Sequence, residues 1–122
     1  MPKGQTTQPV DPSKLSTINQ LIDQLSLLLA DLLTAARATA DHVKLIKIHN
    51  EYAAVQSIMN QAAQAQAAAN DTLFNQVISP LKKQAAILQG LESQIKSIVA
   101  DVALVGRIVG YAAQAIILLS KL

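Results

Sequence analysis

Between Ser13 and Ser79 the chain contains neither glycine nor proline, a run of 67 residues without a backbone breaker. Helix propagation is favoured at nearly every step of such a run, whereas a set of short strands needs turn residues every few positions. The run must therefore consist of helices that continue or meet at tight polar corners. Its first segment repeats apolar residues at Leu15, Ile18, Ile22, Leu25, Leu29, Leu32 and Ala36, with Asp23, Gln24, Asp31 and Arg37 on the wet side. That three-four spacing is an amphipathic helix in coiled-coil-like register. Pro12 and Ser13 open it.

The register fails between Thr39 and Asn50, and a new phase takes over at Leu45, Ile48, Tyr52, Val55, Met59 and Ala62. A shift of phase requires a corner or a stutter. Thr39 or Asp41 can cap the following helix, which places a turn around Ala38 to His42. Gln61 to Ala69 is alanine and glutamine only, good helix that must pack closely or fray. Asn70, Asp71 and Thr72 form the next corner, followed by a short apolar patch at Leu73, Phe74, Val77 and Ile78. Ser79 and Pro80 then read as N-cap and first position of a last long helix, with Gly90 as a bend within it.

That last helix carries a seam at Leu88, Leu91, Ile95, Ile98, Val102, Val105, Val109, Ala112, Ile116 and Leu119. Ser93, Ala100, Arg107, Gln114 and Lys121 mark its wet line, which is narrow because Leu104, Ile108, Tyr111, Ile117 and Leu118 fill much of the rest. The fold predicted is an all-α, up-and-down bundle of three to four helices over 13–122, preceded by a flexible arm over 1–12. The competing layout joins the first two segments into one helix, roughly 57 residues long, that doubles back after Asn70 as an extended hairpin. Two such long antiparallel hairpins would then dimerise into a four-helix bundle.

Composition sharpens the functional question. At 122 residues and 13.0 kDa the chain makes one domain, yet 51% of it is hydrophobic and only 15% charged, with mean hydropathy +0.30. A quarter charged is usual, and a small bundle has much surface to solvate. Part of that surface is therefore expected to meet something other than water. Ten basic and eight acidic residues are scattered, Lys82 and Lys83 being the sole adjacent basic pair, and the aromatics are Tyr52, Phe74 and Tyr111. This is no nucleic-acid footprint. Cysteine is absent, which removes thiol chemistry and thiolate metal sites.

Catalytic motifs are equally sparse. No Gly-x-Ser-x-Gly elbow or glycine-rich phosphate loop occurs, and neither histidine stands beside a serine in a recognisable arrangement. Glu51 and Glu92 lack the Glu-x-x-His spacing of dinuclear bundles, and His42 and His49 share a face without further ligands. No enzyme activity, metal or cofactor is expected. The polar residues after Met1 lack a signal-peptide core, so a cytoplasmic location is the default, with membrane association as the other option.

The sites predicted are apolar contacts. Ile98, Val102, Val105, Gly106, Val109, Gly110, Tyr111, Ile116 and Ile117 are expected to meet a partner, either a second copy or another protein. Gly106 and Gly110 form a small-xxx-small step whose plainer reading is close packing against a neighbouring helix of the same chain. Ile98 to Leu119 also has the length of a bilayer span, opposed by Asp101, Arg107 and Gln114. Lipid or membrane binding is thus the rival function, helped by a basic side made from Lys44, Lys47, Lys82, Lys83, Lys96 and Arg107.

Overall fold

The computed structural model describes residues 8–122, and every regular element among them is helical. They are α1 (Pro12–Arg37), α2 (His42–Gln66), α3 (Asp71–Lys83), α4 (Ala85–Ile98) and α5 (Val102–Ser120). Only Gln84 separates α3 from α4, so the chain makes four rods. The first packs on α2 and α5, α2 also on α3 and α4, and α4 on α5, which closes an up-and-down ring. Side chains record the antiparallel sense. Asn19 receives a hydrogen bond from Gln66 at 2.6 Å, and Arg107 reaches Asp31 across α1 and α5 at 3.1 Å.

Four side-chain caps set the starts of the helices. Asp11 accepts from the Ser13 N–H at 2.9 Å, with Pro12 at the first helical position. Asp41 accepts from Lys44 N–H at 3.0 Å, Asn70 from Leu73 N–H at 2.9 Å, and Asp101 from Leu104 N–H at 3.1 Å. Each carboxylate or amide oxygen satisfies a donor that the helix cannot. Thr39 closes the first turn by donating its hydroxyl to the Ala35 carbonyl at 2.6 Å. The corner near Asp41 is therefore a turn, and the compact bundle replaces the long hairpin.

The core runs the length of the ring. Ile18, Leu21, Leu25, Leu28 and Leu32 from α1 meet Ile48, Val55 and Ile58 from α2, with Phe74, Leu81, Leu88, Leu91 and Ile95 from the third rod. Each such side chain contributes about 1.5 to 3 kcal/mol on leaving water. Ala62, Ala65, Ala112 and Ala115 are fully buried as well, so the alanine-rich end of α2 packs closely. Of the arm expected over 1–12, residues 1–7 lie outside the described residues. The rest is held: Val10 is buried, and the Gln8 carbonyl accepts from Asp71 N–H at 2.8 Å.

Three expected boundaries move. Ser79 and Pro80 lie inside α3 and do not begin a helix. Both are exposed, as is Gln76, whose carbonyl the proline leaves without an amide donor, so water can meet that group. The interruption comes at Gln84, where the amide bonds the Leu81 carbonyl at 3.0 Å and the ladder tightens to three-residue spacing. Gly90 does not break the chain's helix and sits within α4.

The third correction concerns the C-terminal seam. Val99 and Asp101 adopt extended backbone, and the Asp101 cap begins α5 afresh. The break resets the phase, so the buried line of α5 is Leu104, Ile108, Ala112, Ala115, Leu118 and Leu119. Of the expected seam there, Ala112 and Leu119 are buried, Val105, Val109 and Ile116 half-buried, and Val102 is 84% exposed.

Candidate association surface on helix α5

Helix α5 has 19 residues, none of them acidic and only Arg107 basic. It is long and apolar enough to cross a membrane, yet a third of that stretch is buried in the bundle. Its inner side is filled by the core, and its outer side is exposed. At 100° per residue, Val102, Gly106, Val109, Gly110, Ala113, Ile117 and the terminal Ser120 fall within an arc of about 100° on the side away from the buried line. No charged side chain lies in that arc. Ile117 remains 47% exposed beside the two glycines.

The glycines form a shallow step in this face. A Cβ built on Gly106 or Gly110 would meet nothing within 4 Å. The expectation that the step packs against a neighbouring helix of the same chain is therefore overturned. The cap explains why: Asp101 fixes a phase that turns Leu104 and Ile108 inward, and Gly106 and Gly110 rotate to the far side. Arg107 borders the face, held at its edge by the ion pair with Asp31. That pair is largely solvated on the arginine side and contributes modestly to stability.

The nine residues predicted from the sequence do not form one surface. Gly106, Gly110, Val102 and Ile117 share the outer face, and Val109 lies at its border. Ile98 is buried at the end of α4, and Val105, Tyr111 and Ile116 are half-buried against the core. Ala103 and Ala113 were not singled out by periodicity, although Ala103 is exposed and Ala113 lies within the arc. The signal that would have found them is Asp101 as an N-cap, because the phase of everything after it follows from that residue.

Other polar groups stay apart from this face. His42 and His49 are exposed on α2, and among the described residues no three metal-binding side chains converge. Glu51 is half-buried near Lys47, Asn50, Gln94 and Ser97, which line a hollow of about 390 Å³ between α2 and α4. One of its carboxylate oxygens is enclosed without a hydrogen-bond partner, and burial raises its pKa. No family model, curated protein or solved structure matches this chain.

Proposed function

We propose that the protein is a non-catalytic helical bundle that works by association, and that the outer face of α5 is its contact surface. The observation that carries this reading is the uncharged arc on which Val102, Gly106, Gly110 and Ile117 are open to solvent, while Leu104, Ile108, Ala112 and Ala115 on the opposite side are buried. Leaving such an arc in water forfeits the gain of burying it, and a second copy offers the same apolar surface in return. Gly106 and Gly110 let a partner backbone come close without displacing any side chain.

The solution mass tests this. Light scattering on the purified chain should give a multiple of 13.0 kDa. Ile117→Glu places a charge in the centre of the face without touching the core, and should return the mass to that of a single chain at unchanged helicity. A monomer before the substitution would overturn self-association. The length and apolar character of α5 favour one second reading, contact with lipid through the same face. Native mass spectrometry distinguishes the two, since lipid would travel with the protein as discrete added mass.

A further inference from the structure

The two most exposed large apolar residues of the bundle, Val102 and Val43, at 84% and 62% exposure, stand at the same pole. Each follows an aspartate cap at the start of a helix. Asp41 and His42 precede Val43 in α2, and Asp101 directly precedes Val102 in α5. The turns that carry them are neighbours: Ala38, Thr39, Ala40 and Asp41 face Val99, Ala100 and Asp101 across a hollow of about 300 Å³. The fold thus places at one end of the bundle two valines separated by 59 positions in sequence.

Cations surround this tip. Arg37 ends α1, Lys44 and Lys47 occupy the first turns of α2, and Lys96 lies near the end of α4 beside Val99 and Val102. All four are exposed, and His42 stands among them. The acidic groups facing the same pole are Asp41 and Asp101, both engaged by backbone N–H groups as caps. Glu51, in the hollow that Lys47 also lines, and Glu92, one turn before Lys96, lie farther from the tip and are half-buried. Of these groups the exposed ones are four positive charges and two negative ones.

We infer that this pole docks on an anionic membrane surface, with Val43 and Val102 entering the headgroup region and Arg37, Lys44, Lys47 and Lys96 contacting lipid phosphates. Charge complementarity supplies the long-range attraction, and the lysine stems can lie along the interface while their ammonium groups stay hydrated. Exposed valines flanked by cations fit a bilayer interface, which takes up the apolar side chains and pairs with the charges, whereas an acidic chain would engage the cations alone. Of the outer face of α5 this docking uses only Val102, at its N-terminal end, and not Gly106, Gly110 or Ile117, so Ile117→Glu separates it from self-association.

Flotation of the full chain with vesicles tests the inference. Binding is expected to phosphatidylcholine vesicles that contain phosphatidylglycerol, to fall as salt is raised, and to vanish with phosphatidylcholine alone. Lys44→Gln with Lys47→Gln should weaken it about fivefold per lysine. Val43→Ser with Val102→Ser should weaken it roughly tenfold by removing exposed apolar area. Both pairs are on the surface, so circular dichroism should report unchanged helicity. Ile117→Glu should bind as the parent does, whatever its mass. Failure to bind the anionic vesicles at low salt would overturn the inference, as would retained binding in either double variant. Equal affinity for poly-glutamate, indifferent to the valines, would overturn it too by assigning the tip to an acidic chain.

Discussion

Glu51 and the capping aspartates are carboxylates whose surroundings act in opposite directions. Burial raises the pKa of Glu51, while the Ser13 amide and hydroxyl lower that of Asp11 and the Lys44 amide lowers that of Asp41. For Glu51 the folded value lies above the unfolded one, so its penalty is present at neutral pH. It disappears as pH falls through the raised folded value and then below the unfolded one. Asp11 and Asp41 behave inversely: their contribution is present above the unfolded value and is lost as pH falls through the depressed folded value. Glu51→Gln is therefore expected to raise the thermal midpoint at neutral pH, and the advantage over the parent should shrink on acidification. A midpoint lowered at neutral pH would show that the unpartnered oxygen has a partner the carboxamide cannot satisfy. Such single-residue effects were only partly legible in the sequence. Asp41 was visible as a cap because caps are local, whereas the enclosure of Glu51 depends on α4 arriving beside α2.

At the scale of the element, helix phase is set by where each helix starts. In α1 the predicted stripe is buried at Ile18, Leu25, Leu29 and Leu32 and half-buried at Leu15, Ile22 and Ala36, while the buried face also takes in Leu21, Leu28 and Ala35, which the spacing left out. In α5 apolar residues surround the axis, so several stripes fit and the longest one misleads. The glycines follow the same logic. Gly90 is inside α4 with open space around its missing Cβ, and neither breaks the helix nor makes room for a neighbour. Gly90→Ala is accordingly expected to stabilise the protein by about 0.5 to 1 kcal/mol through backbone propensity alone. Urea unfolding of parent and variant measures it; a loss of stability would mean that the α3–α4 rod needs flexibility there. Pro80 misleads in the complementary way, since a proline after serine resembles a helix start, yet its exposed side of α3 tolerates a missing bond.

For the whole molecule, the distances between rods decide which residues are large and which are small. Ala62 and Ala65 of α2 and Ala112 and Ala115 of α5 are fully buried, and the bundle closes at those levels because they are short. Ala62→Leu should strain that closure and cost about 1 to 3 kcal/mol, read as a lowered urea midpoint. A neutral result would reveal slack between α1 and α2 near the Asn19–Gln66 contact. The all-helical class, the corners at Asp41 and Asn70 and the centre of the inner face of α1 follow from the sequence by itself, because propensity, capping and apolar spacing are properties of neighbouring residues. The break at Asp101 had a local signal in its capping side chain, whereas the side of α5 that is covered, with Gly106 and Gly110 left outside, and the placing of Val43 and Val102 at one pole were decided only in three dimensions. An apolar residue records that it prefers to leave water, but which side of a nearly all-apolar helix succeeds depends on where the other three rods stand.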